Sequence, residues 1–196
     1  MQYNGYIFLP VQTYLAWKTA TINNGFDADG AFGDQCWDYT AEFWYNVGFG
    51  TGYPLTGPNG AAWECWTNSR VQNAGNTFDL IYNLADVKQG DILVYHQFSG
   101  NPYGHIGFAD EDYATWSAAH PGDYEFPIIS QNNGGTPYAP GGSFVNLHGY
   151  DTRLFLGAFR YKAWEQPVPP TPTPTSEKKK FPWVLYARKL RERNMV

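Results

Sequence analysis

Residues 26–40 read FDADGAFGDQCWDYT, a glycine-broken acidic loop that runs into a helical pattern at a cysteine. Asp27, Asp29 and Asp38 occupy the first, third and twelfth positions of that loop, the spacing with which carboxylates wrap an oxygen-loving cation such as calcium. Three carboxylates this close repel one another unless a cation neutralises them. As an EF-hand-like loop it is imperfect, because position twelve carries Asp rather than Glu and position six is Phe32 rather than Gly. The competing reading is a solvated acidic turn. Cys36 stands at the opening of the helical run. There the partial positive charge and unpaired N–H groups of a first turn stabilise a thiolate, so the same stretch offers hard ligands and a soft nucleophile.

A cysteine nucleophile needs a base, and the chain offers His96, His105, His120 and His148. His105 fits best: GNPYGHIGFAD places a glycine before it and an alternating strand after it, which would hold the imidazole at a strand start beside the cysteine helix. His96 ends the preceding strand and reads as surface or hairpin packing, while His120 and His148 fall in Pro- and Gly-containing loops. A catalytic imidazole is usually oriented by a third polar group. The run IISQNNGG supplies Ser130, Gln131 and Asn132, of which Asn132 is the expected partner. Ser130 shares its face and Gln131 points away. The backbone N–H of Cys36 and the amide of Gln35 are the expected donors to an oxyanion.

The elements that must position these groups follow from pattern. CWDYTAEFWYNVG has helical spacing, with Asp34 expected to cap its start and Gly48 to end it. VKQGDILVYHQF, YGHIGFAD, YEFPIISQN and TRLFLGAFRYK are short β-rich runs, expected to form an antiparallel sheet behind N-terminal helices, an α+β fold. Loops over 48–62 and 132–149 are expected to carry the groove. The expected organisation is a folded domain over 1–165, a Pro/Thr-rich linker over 166–176 and a basic aromatic tail over 177–196. Residues 1–175 hold 6 Lys and Arg against 16 Asp and Glu, and residues 176–196 hold 7 against 2. Nucleic acid is therefore a poor partner for the body, while the tail suits an anionic or acidic surface. The start of the chain carries no basic leader and no continuous apolar stretch, so neither a Sec-type signal nor a membrane span is expected. Two cysteines do not make a disulfide framework; Cys36 and Cys65 are expected as free thiols, the latter as packing.

GDQCWDYT, GDILVY, GHIGFA and ISQNN resemble, in this order, the successive motifs of CHAP domains. These are the cysteine- and histidine-dependent amidohydrolase/peptidase domains of bacteriophage lysins and bacterial wall hydrolases. The resemblance spans roughly residues 10–162. It implies a papain-like CHAP fold with Cys36 as nucleophile, His105 as base, Asn132 as its orienting partner and Gln35 near the oxyanion. One departure stands out: many relatives carry Glu two positions before the Asn, where this chain has Ser130. The resemblance also implies a structural calcium held by Asp27, Asp29 and Asp38, with the backbone carbonyls of Ala31 and Gly33. The implied activity is peptidoglycan hydrolysis at an amide bond, as an endopeptidase or an N-acetylmuramoyl-L-alanine amidase. Such a protein is phage-encoded and works as an endolysin from the host cytoplasm or as a virion tail lysin, with wall polymers or phage tail proteins as possible contacts of the tail. The alternatives are a non-catalytic, calcium-dependent wall-binding module and a related NlpC-type cysteine peptidase.

Overall fold

The computed structural model describes residues 2–4, 7–30, 33–49, 60–67, 70–132 and 143–165. In chain order the first elements are β1 (Gln2–Asn4), α1 (Tyr14–Thr21), β2 (Gly25–Asp27), α2 (Cys36–Trp44), α3 (Glu64–Thr67) and α4 (Arg70–Ala74). They are followed by β3 (Phe78–Ile81), β4 (Ile92–Tyr95), β5 (His105–Ala109), α5 (Tyr113–Ala119), β6 (Glu125–Ser130), β7 (Asn146–Asp151), β8 (Phe155–Tyr161) and α6 (Lys162–Glu165). The helices lie largely ahead of a six-stranded antiparallel sheet of order β3-β8-β4-β5-β6-β7, so the architecture is α+β, as the sequence pattern indicates.

Local chemistry sets the ends of the two helices that matter. At α1, Thr13 caps in extended conformation and its hydroxyl accepts the Ala16 N–H at 3.1 Å. Helix α2 starts one residue later than Asp34 would dictate. Gln35 is its N-cap, and the carboxylate of Asp38, three residues on, reaches back to accept the Gln35 N–H at 2.9 Å. Asp34 is instead buried beneath β2, where a Cβ on Gly25 would stand 2.0 Å from its Oδ2. The far end of α2 widens into a π-turn over Tyr45–Phe49, interrupted at Gly48, whose φ of 96° suits glycine.

The sheet has two buried faces, which explains why β4 and β5 read as apolar runs rather than clean alternation. Ile92, Val94, Ile106, Phe108, Ile129 and Phe159 meet Trp17 of α1 and Tyr39, Phe43 and Trp44 of α2. Leu93, Tyr95, Ala109, Phe126, Ile128 and Ala158 close over Trp116 of α5 on the other side. Burial of each large apolar side chain contributes about 1.5–3 kcal/mol. Ring pairs such as Trp17–Tyr39 (5.5 Å, stacked) and Phe43–Phe108 (5.2 Å, edge-on) fix the helices laterally.

Four strands depart from the sequence expectation. β7 begins inside the span expected to be loop over 132–149 and runs past its end, and β3 and the parallel β1–β2 pair add to the four strands anticipated. β7 carries Asn, Gly and half-exposed side chains, so its strand character comes from a six-residue register against β6, from Glu125↔Asp151 to Ser130↔Asn146, and not from propensity. Residues 1–166 form one compact unit and 167–196 a second. The expected linker over 166–176 and tail over 177–196 fall outside the described residues. Among those described, no helix is long and apolar enough to cross a membrane.

Candidate active site

Cys36 is the first residue of α2, and α2 lies against β5, the strand that begins with His105. The ladder explains how the thiol gets in. β4 pairs with β5 along its first four residues, from Tyr95↔His105 to Ile92↔Phe108, but β5 pairs with β6 only at Phe108↔Ile129 and Ala109↔Ile128. At the His105 end the β5–β6 ladder has stopped, and the backbone N–H of Ile106 turns to the Cys36 thiol. Two glycines make the GHIGFA motif workable. Gly104 has φ 64°, and a Cβ there would lie 2.4 Å from the Tyr95 carbonyl oxygen. Gly107 leaves room for Ser130, whose Cβ would be 2.7 Å from a Cβ at 107.

His105 is 3% exposed, and its Nε2 lies 2.7 Å from Ser130 Oγ. The hydroxyl that touches the imidazole is thus that of Ser130, and Asn132, the partner expected from the sequence, makes a different bond. The Asn132 side chain points to the helix instead: its Nδ2 donates to Gln35 Oε1 at 2.5 Å. The reason is backbone conformation. Asn132 adopts φ 59°, which takes it out of the strand alternation that would have placed it beside Ser130. Its N–H is held by the Ser143 hydroxyl at 2.6 Å. Gln131, on the opposite face, is fully buried and ties three segments together. It accepts the Phe26 N–H at 3.2 Å and donates to the carbonyls of Phe26 at 2.6 Å and Gln35 at 2.7 Å. Gln35, and with it the start of α2, is therefore fixed from the end of β6.

Burial pushes the Cys36 thiol up to about 12, against the pull of the Ile106 N–H and with the added push of the Asp38 carboxylate. The sequence expectation of a thiolate stabilised by the helix start is thus outweighed by desolvation, although solvent access to the half-buried residue works against that rise. A thiol in this position needs a base that can take its proton.

Of the other histidines, His96 stacks on Trp63 at 6.3 Å on the surface, in line with hairpin packing, and His120 caps α5 against Trp116. His148 differs from expectation. It sits on β7, not in a loop, with its ring 5.6 Å from that of His105, and burial lowers it to about 4, so it is neutral. Tyr150, two residues on, stacks on the imidazole at 4.6 Å and 9°. Neither was legible in the sequence, because only the β6–β7 register brings them to His105. Cys65 is fully buried and its Sγ accepts from Asn73 Nδ2 at 3.4 Å, a packing residue; both cysteines are free thiols.

The acidic loop comes together on the other side of Cys36. One carboxylate oxygen each from Asp27, Asp29 and Asp38 lies within 4.8 Å of the others. Asp38 accepts the N–H groups of Ala28 at 3.1 Å and Gln35 at 2.9 Å, and burial, with Asp29 and Asp27 beside it, raises it to about 8. Asp27 is buried, with an Oδ1 that has no hydrogen-bond partner. A hard cation would satisfy that oxygen and relieve the repulsion, so the residues fit calcium. Gly33 lies at the loop's end with φ 71°, and Ala31 falls outside the described residues.

Over 124 residues the chain is 29% identical to the D-alanyl-L-alanine endopeptidase of Streptococcus phage B30, a match covering 63% of this chain and 25% of that protein. The chain thus spans about a quarter of the curated relative's length. Its fold resembles that of the wild-type endolysin LysIME-EF1, with a TM-score of 0.55 and 23% identity over 79% of this chain and 65% of the other. Residues 25–133, which hold the acidic loop, Cys36, His105, Ser130 and Asn132, match the CHAP domain, and with more than half of its length in that match the chain belongs to the CHAP domain family.

Proposed function

We propose that this chain is a peptidoglycan hydrolase of phage origin that cleaves an amide bond of the bacterial wall with Cys36 as nucleophile and His105 as base. The observation that carries the reading is the convergence of the α2 start on the opening of β5, where His105 is bonded through Nε2 to Ser130. With Nε2 so engaged, Nδ1 is the nitrogen that exchanges a proton with the thiol. His105 takes the Cys36 proton, and the sulfur attacks the amide carbonyl carbon. The resulting oxyanion is met by the Cys36 N–H and the side-chain amide of Gln35, whose oxygen is turned towards Asn132. The imidazolium returns its proton to the departing amine as the C–N bond breaks, leaving a thioester. Water, deprotonated by His105, then splits the thioester and regenerates the thiol.

The name of the phage B30 relative favours endopeptidase cleavage over the amidase alternative. Mass spectrometry of fragments from defined walls decides between them, since a new alanine carboxyl terminus with the muramoyl–peptide bond intact marks the first and a liberated muramic lactyl carboxyl the second. Zymography with Cys36→Ala tests the reading itself: loss of clearing with wall binding retained supports it, and clearing by the variant overturns it in favour of another chemistry. Absence of clearing by the unaltered chain would point to a wall-binding module.

Asp27, Asp29 and Asp38 would hold calcium, whose contribution is structural charge neutralisation in the loop that leads into α2. Asp38 belongs to both the acidic cluster and the helix cap, so this loop and the direction of Cys36 are coupled.

A further inference from the structure

The catalytic imidazole is gripped on more sides than its hydrogen bond accounts for. A single bond at Nε2 leaves an imidazole able to swing about its Cβ–Cγ axis. A parallel ring against its face blocks that swing, because rotation would drive the imidazole edge into the neighbouring ring. Tyr150 supplies such a ring, with centroids 4.6 Å apart and planes within 9°. It is backed by Tyr95, 4.4 Å behind, which pairs across β4–β5 with His105 itself. His148 closes a further side edge-on at 83°. The Tyr150 hydroxyl is buried without a well-formed hydrogen bond. The polar group beside it is the Asn101 side chain, which also bonds the Gly104 carbonyl and the Tyr103 N–H of its own hairpin. The ring, not the hydroxyl, engages His105.

We propose that Tyr150 is a positioning residue, whose ring holds the His105 imidazole in the plane that presents one nitrogen to Ser130 and the other to Cys36. It lies on β7, beyond residues 25–133 that match the CHAP domain. The role rests on the reading of His105 as the base, so the test uses measurements that need no wall substrate.

The full chain with calcium in excess is compared at one pH with Tyr150→Phe, Tyr150→Leu and Tyr150→Met. Two quantities are read: the ring-current displacement of the His105 carbon-bound proton resonances, and the rate of Cys36 alkylation by iodoacetamide, located by peptide mapping. Tyr150→Phe keeps both, because the stack survives. Tyr150→Leu and Tyr150→Met lose the upfield displacement and slow alkylation on the order of tenfold, the equivalent of one aromatic pair. Normal alkylation in a folded Leu or Met variant overturns the proposal. So does a Phe variant that falls as far as they do, since the hydroxyl would then be the operative group. Should Leu and Met both fail to fold, the Phe variant's resonances decide alone. Wall clearing by Cys36→Ala would sink the functional reading separately, leaving these two measurements interpretable.

Discussion

Ser130 occupies a place where a longer acidic side chain would carry charge, and it offers His105 only a neutral hydroxyl 2.7 Å away. A neutral hydrogen bond contributes about 0.5–1.5 kcal/mol, so Ser130→Ala should lower kcat by roughly two- to twelvefold with KM little changed. Asn132→Ala should act by a different route, through Gln35. Its effect should vanish in a Gln35→Ala background, whereas that of Ser130→Ala should persist, a distinction read from turbidity loss in a double-mutant cycle. Cys36→Ser and His105→Ala should each abolish clearing while circular dichroism stays unchanged, because they remove reacting atoms and not core volume. The double variant should be no worse than either single one. A much worse double variant would show that the two residues do not act as a unit.

At the scale of elements, the approach of β5 to β6 is the tightest constraint on the site. A methyl group added by Gly107→Ala would meet Ser130 Cβ at 2.7 Å and the Ile129 carbonyl oxygen at 3.0 Å. β6 would have to give way, so the variant should lose about 1–3 kcal/mol in urea denaturation and lose activity disproportionately, since Ser130 moves with the strand. A neutral stability and normal clearing would mean that the ladder tolerates the insertion. β7 contributes a pH dependence. Burial lowers His148 to about 4 from its ordinary 6.5, so the unfolded chain takes up this proton first on acidification. The contribution is present above pH 6.5 and is lost as pH falls from 6.5 towards 4. His148→Gln should flatten that part of the curve. The check is the difference between the two proteins' urea midpoints from pH 7.5 to 4.5, in which the opposing carboxylates Asp38 and Glu42 cancel.

For the molecule as a whole, the acidic loop couples ion binding to folding. If calcium binds only the folded chain, a hundredfold excess over its dissociation constant adds about 2.7 kcal/mol. Chelation should therefore lower both the melting temperature and the clearing rate, and calcium should restore both. Magnesium should restore them poorly, because it demands a tight octahedron and gives up its waters reluctantly. Asp27→Ala combined with Asp29→Ala should reproduce the chelated state and ignore added calcium. Identical melting curves with and without chelator would leave the loop as a solvated acidic turn.

By itself the sequence determined the α+β class, the helix that begins at Cys36, the strand that begins at His105 and the acidic cluster around them. These rest on local rules: period, caps, turn glycines, and carboxylates close enough in the chain to meet in one loop. Tertiary structure alone decided which polar groups touch. Asn132 and Ser130 look interchangeable along a strand, but a positive φ at 132 sends one to Gln35 and leaves the other on His105. His148 reads as a loop residue, and Tyr150 draws no reading at all, because nothing local favours a strand there. They reach the imidazole only through pairing with β6, and pairing between distant segments leaves no trace in local pattern. The thiol's protonation followed the same division: the helix start was legible, and the burial that outweighs it came from the packing of α2 on the sheet.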